Sequence, residues 1–323
     1  MKVVISDYVW PNIEIEKKFF KSKNIDLVVS NNKSDLKKQI VDADGLLFCF
    51  ESIDEDILRS GKNLKVAQRY GIGVDNIDIN VATELGVVVA NIPDYCIDEV
   101  SDHAMSMILS LNRLLSRDSD LVKKGMWNEI KKDKRVYRLS QSTLGLLGFG
   151  RIGRRISEKA VSFGLKVIAY DPYLKEKEID GVEIHSLNKV LKDSNIISLH
   201  LPLTEQTEHI IDKQQFNLMN NDTILINVSR GGLINEEALI ENLNNGKIRG
   251  AGLDVIETST DKSNKLFSFD NVIITPHTAF FSQESSEELQ LRSSKQLFDV
   301  LNGIKPKFLI NPDVLDHPSV NLK

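Results

Sequence analysis

The sequence has few cysteines, no long apolar run and no excess of basic residues. Its 323 residues include only two cysteines, Cys49 and Cys96, whose spacing fits neither a disulfide framework nor a metal site. We therefore expect a reducing, cytoplasmic environment. No apolar stretch approaches the about 20 residues that span a bilayer, and the N-terminal apolar run is too short for a signal peptide. The net charge of −5 argues against binding to nucleic acid or to a membrane surface.

What the chain does have is a regular alternation of short apolar runs and longer helical patterns. Such alternation predicts an α/β fold with parallel sheets covered by helices on both faces. In the first third, strands are predicted at 2–6, 26–30, 45–48, 66–69 and 87–90, and helices at 13–20 and 53–60. A second alternation is predicted with strands at 144–147, 166–170, 196–200, 223–227, 250–254 and 272–274.

A long helix is predicted to link the two alternating units. Asp98 is predicted as its N-cap, and apolar residues at helical spacing follow as far as Leu115. A polar segment covers about 116–142, and a final helix is predicted at 284–301. Spacing alone leaves open whether this final helix caps the second unit or returns to the first.

One glycine-rich segment has the features of a dinucleotide-binding turn. A buried strand is predicted to lead into Gly148-Phe149-Gly150-Arg151-Ile152-Gly153, which opens a helical pattern. Gly148 permits a tight turn, Gly150 leaves room for a pyrophosphate, and Gly153 lets the helix pack closely on the sheet. The N-terminus of the helix favours phosphate through its N–H groups and partial positive charge. A lone pattern of this kind is also compatible with an ordinary turn.

Asp171 lies at the end of the next predicted strand, 21 residues beyond Gly150. A carboxylate about 20 residues after the glycine turn accepts hydrogen bonds from the adenosine ribose hydroxyls of NAD. A negative charge at this position repels the 2′-phosphate of NADP, so the sequence predicts NAD as the cofactor. The alternative is an ordinary turn aspartate before Pro172.

Three polar residues follow predicted strands of the second unit, at the end where open parallel sheets bind ligands. Arg230 precedes two glycines, so its guanidinium is unobstructed for a carboxylate or keto oxygen; the alternative is a surface ion pair with Glu236 or Glu237. His277 suits proton delivery to a ketone at neutral pH, and Asp254 suits a nicotinamide carboxamide. The alternatives for these two are a structural histidine and a turn aspartate.

Together, these residues resemble the D-isomer-specific 2-hydroxyacid dehydrogenase family, which includes phosphoglycerate, glycerate, D-lactate and formate dehydrogenases. The similarity covers almost the whole chain. Its motifs lie at 69–78, 148–153, 199–204, 227–232, 252–255 and 275–277. The stretch 91–100, Asn-Ile-Pro-Asp-Tyr-Cys-Ile-Asp-Glu-Val, is similar to the subgroup nearest the C-terminal binding proteins.

The resemblance implies two Rossmann-like domains, one flavodoxin-like and one NAD-binding, with the substrate in the cleft between them. It implies a substrate domain of residues 1–98 plus 288–323, to which the last helix returns, and an NAD-binding domain of residues 99–287. The segment after the long helix corresponds to the family's dimer-forming arm, so a homodimer is expected.

The resemblance also assigns roles to single residues. Arg230 corresponds to the substrate-orienting arginine and His277 to the acid/base. Backbone N–H groups around Gly71, Ile72 and Gly73 correspond to the loop that receives the substrate carboxylate. The positions near the cofactor are Gly148, Gly150, Arg151, Ile152, Gly153, Asp171, Pro202, Thr207, Val228, Ser229 and Asp254.

The sequence departs from the family at the carboxylate that pairs with the histidine. The family carries it five positions after the residue that Asp254 matches, usually before proline, and here that position is Ser259, followed by Thr260. Either the loop is shifted and Glu257 supports His277, or the carboxylate is absent. A carboxylate neighbour raises the pKa of a histidine and holds its tautomer. The first interpretation is slightly favoured.

The leading prediction is an NAD-dependent oxidoreductase that transfers a hydride between nicotinamide and C2 of a small 2-hydroxy or 2-oxo acid. An alternative is a binding module, similar to the C-terminal binding proteins, that senses NAD(H) with weak or no catalysis. Formate oxidation is a third possibility, but that subgroup carries glutamine at the position of Ser259. The resemblance places Cys49, Phe50, Tyr95 and Phe280 around the rest of the substrate, which predicts a partly apolar pocket.

Overall fold

The chain folds into two compact units in the computed structural model, which describes residues 1–128, 135–258 and 260–323. Unit 1 consists of Met1–Cys96 and Ser282–Lys323, and unit 2 of Ile97–Phe281. Each unit is built around one sheet with helices packed on it. No helix among these residues combines the length and the apolar composition that crossing a bilayer requires.

Unit 1 is a five-stranded parallel sheet with the strand order β2-β1-β3-β4-β5. Its strands are β1 (Lys2–Ile5), β2 (Asp26–Val29), β3 (Gly45–Phe48), β4 (Val66–Arg69) and β5 (Val88–Ala90). Its helices are α1 (Glu14–Ser22), α2 (Lys33–Gln39), α3 (Glu55–Ser60), α4 (Ile79–Glu84) and α11 (Gln283–Leu301). Asn32, Asp54 and Asp78 cap α2, α3 and α4 by accepting the N–H three residues on.

The C-terminal helix α11 belongs to the core of unit 1. It packs against α1, β3 and β4. Leu297 is fully buried, and a Cβ atom at Gly45 would lie 3.0 Å from Leu297 Cδ2. The glycine that begins β3 therefore lets this helix approach the sheet.

Unit 2 is an eight-stranded sheet with the strand order β13-β12-β11-β10-β6-β7-β9-β8. Its strands are β6 (Thr143–Leu147), β7 (Lys166–Tyr170), β8 (Glu178–Ile179), β9 (Val182–Ile184), β10 (Ile196–Leu199), β11 (Thr223–Asn227), β12 (Ile248–Leu253) and β13 (Val272–Ile274). Its helices are α5 (Ile97–Arg113), α6 (Leu115–Lys123), α7 (Arg151–Ser162), α8 (Leu187–Asp193), α9 (Lys213–Leu218) and α10 (Glu236–Asn244). Strand pairs are parallel except β8 with β9.

Glycines in β12 let helix α5 lie close to the sheet. A Cβ atom at Gly250 would lie 3.1 Å from Leu111 Cδ2, and one at Gly252 would lie 2.9 Å from Met107 Cβ. Leu111 and Met107 are both buried. The small residues that the sequence places in β12 therefore seat the apolar face of α5 on the sheet.

Two predictions about the long helix are wrong. Asp98 is not its N-cap, because α5 begins at Ile97 and Asp98 lies inside the first turn. An acidic residue is favourable at either position, so residue type alone does not separate the two. The helix also ends at Arg113, since Leu114 has a left-handed φ of 57° and starts the separate helix α6. Leu115 is consequently 59% exposed rather than part of the apolar face of α5.

The antiparallel pair β8 and β9 was not predicted. Its turn is formed by Asp180 and Gly181, which both have positive φ, 53° and 77°. An Asp-Gly dipeptide between two short strands is a strong local signal for a hairpin turn. The signal was therefore present, although strands of two and three residues carry almost no periodicity.

Candidate functional site

Six parallel strands of unit 2 end at one level. Their register forms a row across the sheet made of Tyr170, Leu147, Leu199, Asn227, Leu253 and Ile274. The glycine turn follows β6 and Asp171 follows β7; Arg230, Asp254 and His277 come after β11, β12 and β13. The structure thus brings all five sequence features to the carboxyl edge of one sheet, where open α/β sheets bind ligands.

The glycine turn after β6 fits a dinucleotide. Gly148 has a φ of 99°, and a Cβ atom there would lie 2.6 Å from the carbonyl carbon of His200. A Cβ atom at Gly153 would lie 2.4 Å from the Gly148 oxygen, so both positions require glycine. Gly150 is the N-cap of α7; within the described chain no side chain caps this helix, and a Cβ atom at Gly150 would meet open space. The helix N-terminus therefore has room and N–H groups for a phosphate.

The Asp171 carboxylate is tied to this turn. Oδ2 accepts the N–H of Phe149 at 2.9 Å, and Oδ1 accepts the N–H of Tyr173 at 3.0 Å. Asp171 therefore lies beside the start of α7, whose first two residues are Arg151 and Ile152. A carboxylate held next to the phosphate-binding turn is well placed for an adenosine ribose.

The other predicted cofactor residues lie at the ends of β10 and β11, where two of them form hydrogen bonds to the backbone. Thr207 Oγ1 donates to the Pro202 carbonyl at 2.6 Å. Ser229 Oγ donates to the Leu199 carbonyl at 2.9 Å, which links the two strand ends directly, and its neighbour Val228 is buried. These residues therefore shape the backbone beside the glycine turn.

Arg230 extends from the loop after β11 and is half-buried. Asn227 Nδ2 donates to the Arg230 carbonyl at 2.7 Å, and Arg230 Nη1 donates to the Ser229 carbonyl at 2.8 Å. The next residue, Gly231, packs so closely that a Cβ atom would lie 2.2 Å from the carbonyl carbon of Ile256. The loop is thus held on both sides of Arg230, which limits the positions that its guanidinium can take.

Asp254 organises the loop that carries His277. It is 1% exposed; Oδ1 accepts the Thr275 hydroxyl at 2.6 Å and the Thr278 N–H at 2.8 Å, and Oδ2 accepts the Ala279 N–H at 2.9 Å. The N–H of His277 donates to the Asp254 carbonyl at 2.9 Å, and His277 has a left-handed φ of 53°. This strained backbone is held by the surrounding hydrogen bonds, as is common at functional sites.

His103, on helix α5, is a neighbour of this loop. Its Nε2 lies 2.9 Å from Thr275 Oγ1 and 3.7 Å from Asp254 Oδ1. On α5, His103 is adjacent to the buried Ala104 and lies one turn before Met107. Helical spacing could therefore have placed it toward the sheet, but not beside a residue 172 positions away.

Glu257, predicted to support His277, has other partners. Its Oε1 contacts His209 Nε2, which raises the pKa of that histidine, and its Oε2 accepts the Glu236 N–H at 3.2 Å. The Glu236 carboxylate in turn accepts the Glu257 N–H at 3.1 Å. These contacts anchor Glu257 within its own loop, and its pairing with His277 stays a prediction. Ser259 lies outside the described residues.

His200 directly follows strand β10. Its Nε2 lies 2.8 Å from Ser198 Oγ. Burial lowers the pKa of His200 to about 3, so the ring is neutral near pH 7 and its remaining N–H is too weakly acidic for a general acid.

In unit 1, the loop predicted to receive the substrate carboxylate follows β4. Gly71 has a φ of 142°, and its carbonyl accepts the Ile92 N–H at 3.1 Å. Asn91 Nδ2 donates to the Ile72 carbonyl at 2.6 Å. Within the described chain, no hydrogen bond uses the N–H groups of Gly71, Ile72 or Gly73 as donors. The loop is therefore fixed by its carbonyl groups and keeps N–H groups for an anion.

The residues expected around the rest of the substrate differ in accessibility. In unit 1, Phe50 is 41% exposed, whereas Cys49 and Tyr95 are buried. In unit 2, the ring of Phe280 meets that of His277 edge-on, with 6.3 Å between centroids. Phe50 and Phe280 therefore provide the accessible apolar surface of this set.

These features define the class of protein: an α/β chain whose second unit is a dinucleotide-binding domain. Residues 105–279 match the family described as D-isomer specific 2-hydroxyacid dehydrogenase, NAD binding domain. The chain is 40% identical over 273 residues to hydroxypyruvate reductase of Thermotoga maritima, covering 83% of this chain and 88% of that protein. It is 37% identical over 291 residues to D-3-phosphoglycerate dehydrogenase of Methanocaldococcus jannaschii, covering 89% of this chain but only 55% of that protein.

A comparison with solved structures also finds a 2-hydroxyacid dehydrogenase. D-lactate dehydrogenase from Aquifex aeolicus, complexed with NAD and lactic acid, has a TM-score of 0.85 and 30% identity, with 93% of this chain and 96% of that chain covered. The chain belongs to the D-isomer-specific 2-hydroxyacid dehydrogenase family, whose members are NAD-dependent oxidoreductases acting on CH–OH donors. The predicted fold class and cofactor are confirmed, and these relatives give no support for the binding-module alternative.

Proposed function

We propose that this protein reduces a small 2-oxo acid to the corresponding 2-hydroxy acid with NADH, and catalyses the reverse oxidation with NAD. In reduction, NADH supplies a hydride to C2, and a proton reaches the carbonyl oxygen. The placement of Arg230 and His277 at the same sheet edge as the glycine turn is the observation that carries this proposal.

Each residue of the proposed site has a separate chemical role. Arg230 orients the substrate and polarises its carbonyl, because a guanidinium binds a carboxylate and an adjacent oxygen through parallel N–H groups. His277 donates the proton to the carbonyl oxygen, which an imidazole does well near neutral pH. The N–H groups of Gly71, Ile72 and Gly73 bind the substrate carboxylate.

The cofactor site is assigned to the carboxyl edge of unit 2. The first turn of α7 binds the pyrophosphate through its N–H groups, and Asp171 binds the adenosine ribose. Pro202, Thr207, Val228 and Ser229 line the neighbouring strand ends. Asp254 lies on the nicotinamide side of this edge, next to the His277 loop.

We assign residues 1–98 plus 288–323 to the substrate domain and residues 99–287 to the NAD-binding domain. The two compact units support this division, although they meet a few residues earlier in the chain, after Cys96 and before Ser282. We also propose a homodimer formed through the segment after α5. Helix α6 has no buried residue, and Leu115 and Trp127 are 59% and 71% exposed. Exposed apolar side chains on such a segment favour a contact between protein chains.

A cytoplasmic location remains our expectation from the cysteine content.

Turnover of a 2-oxo acid tests the proposal directly. NADH oxidation is measured with glyoxylate, hydroxypyruvate, pyruvate and bulkier branched or aromatic 2-oxo acids between pH 5.5 and 9. We expect saturable turnover of at least one of them, with the rate of reduction falling as His277 loses its proton at alkaline pH. Tight NADH binding without turnover of any of these acids would contradict the enzyme and support a cofactor-sensing protein.

Replacement of Asp171 by alanine tests the choice of cofactor. We expect NADH affinity to fall roughly tenfold or more, because hydrogen bonds to a charged group are lost. The preference for NADH over NADPH should narrow, because the charge that repels a 2′-phosphate is gone. Binding of both cofactors is measured by fluorescence, with Asp193→Ala, on the surface helix α8, as the matched control. An unchanged preference would assign the selection to another residue.

A further inference from the structure

Glu16 occupies a position in α1 where an apolar residue is expected. Ile13, Glu16 and Phe20 recur at three- and four-residue spacing and are buried, while Glu14 and Lys17 are exposed. Glu16 itself is 0% exposed. A carboxyl group on the core face of a helix lowers stability unless its contacts compensate for lost hydration. Its presence therefore needs a reason other than packing.

The contact that Glu16 makes is with Tyr70. The Tyr70 hydroxyl donates to Glu16 Oε1 at 3.0 Å, and Tyr70 is 1% exposed. The edge of the Trp10 ring packs on Tyr70, with 4.8 Å between centroids. Within the described chain, the second oxygen of Glu16, Oε2, has no hydrogen-bond partner. Burial raises the pKa of Glu16 to about 7.

Tyr70 is the residue immediately before the carboxylate-binding loop of the proposed function. Its N–H donates to the Phe48 carbonyl at 2.8 Å, and its own carbonyl accepts a bond from the Arg69 guanidinium. The far side of the loop is held by Asn91 and Ile92, as described above. The side chain of Tyr70 is therefore the anchor on the near side, and Glu16 holds its hydroxyl.

We propose that Glu16 is a positioning residue for the reaction: through the Tyr70 hydroxyl it sets the geometry and the local charge of the loop that binds the substrate carboxylate. The inference rests on the proposed function of that loop. The other charged or titratable groups near Tyr70 are Asp7 after β1, Cys49 after β3 and Arg69 in β4. Burial raises the pKa of Cys49 to about 11, and Arg69 is permanently charged.

The direction in which KM changes with pH follows from the charge of Glu16. Below neutral pH, Glu16 is protonated and adds no negative charge to that of Asp7 near Tyr70. As the pH rises through 7, Glu16 ionises and places a buried carboxylate against the hydroxyl of Tyr70, the residue that precedes the proposed carboxylate-binding loop. Repulsion in a poorly hydrated interior is only weakly screened, so KM should rise while kcat is little affected.

The test measures KM and kcat for glyoxylate and hydroxypyruvate at saturating NADH from pH 5.5 to 9. Between pH 6 and 8.5, we expect the wild-type KM to rise about three- to tenfold. In Glu16→Gln, which keeps an acceptor for Tyr70 but no charge, this rise should disappear. Tyr70→Phe should raise KM at every pH with kcat within about twofold, because the anchor is lost. Glu14→Gln, an exposed glutamate on the same helix, is the matched control and should behave as the wild type.

Two outcomes would overturn the proposal: Glu16→Gln keeping the wild-type pH dependence of KM, or both variants lowering kcat at unchanged KM. NADH binding by each variant serves as the check of folding, and Tyr70→Phe keeps the test decisive if Glu16→Gln is unstable. The Kd of oxamate is measured on the NADH-loaded protein in parallel. Oxamate, the monoamide of oxalate, has a carboxylate next to a carbonyl group but is not reduced. Wild type without turnover would contradict the proposed reaction, whereas the oxamate Kd and its pH dependence still decide the role of Glu16.

Discussion

Replacing Arg230 by alanine is expected to lower kcat about 10²–10³-fold and to leave NADH affinity within about twofold. In the proposed reaction, the guanidinium stabilises the negative charge that develops on the carbonyl oxygen during hydride transfer, and this interaction is strongest in the transition state. Its loop is held by Asn227 and by the close approach of Gly231 to the backbone of Ile256, so removing the side chain leaves the loop in place. Steady-state turnover and NADH fluorescence measure the two quantities separately.

Two further variants test whether the loss of turnover is specific to Arg230 and to its planar guanidinium. Arg230→Lys keeps the charge but not the planar fork, so we expect activity between wild type and alanine. Arg59→Ala removes an exposed arginine of unit 1 that pairs with Glu55 and Glu84, and it should leave turnover unchanged. Parallel loss of turnover and NADH affinity in Arg230→Ala would mean that the arginine supports the fold of the cofactor site instead.

His277→Asn is expected to lower kcat/KM for reduction about 10²–10⁴-fold, which is the usual contribution of a positioned general acid. The loop should keep its shape, because Asp254 holds it through the Thr275 hydroxyl and the N–H groups of Thr278 and Ala279. Asparagine also tolerates the left-handed φ of position 277. The comparison variant is His185→Asn, which removes a histidine that is hydrogen-bonded to Glu183 and is distant from His277 in the sequence. Activity near the wild-type value in His277→Asn would exclude this histidine as the acid.

The pH profile of the same reaction separates the two interpretations of Glu257. A carboxylate partner raises the pKa of a histidine, so removing such a partner moves the alkaline limb of reduction to lower pH. If Glu257 serves only its loop through His209 and Glu236, the Glu257→Gln variant keeps the wild-type midpoint. A shifted midpoint would restore the pairing with His277.

Local sequence patterns located most of the candidate site. Gly148, Gly153 and Asp171 were predicted because a turn, a close helix contact and a strand end each leave a recognisable residue type at a set spacing. Arg230 and His277 were predicted as residues that follow the ends of strands, and the register of β11, β12 and β13 places them at one edge. Parallel connections make this inference reliable, since all carboxyl ends of such a sheet lie on the same side.

The contacts that support these residues could not be predicted from the sequence. Glu16 meets Tyr70 across 54 positions and His209 meets Glu257 across 48. Such pairs depend on how separate elements are brought together by packing, and no periodicity records them. The end of α5 was missed for a related reason: Leu114 and its neighbours favour a helix locally, and only the tertiary structure places the break after Arg113.

The sequence by itself therefore determined the class of fold, the cofactor-binding turn and the identity of the chemical groups, because these follow from local backbone requirements and from residue type. The tertiary structure alone decided which groups touch: His103 and Asp254 both contact Thr275, Glu257 contacts His209, and the buried Glu16 contacts Tyr70. The physical reason is that burial and hydrogen bonding set the protonation and orientation of these side chains, and both depend on neighbours that are distant in the chain.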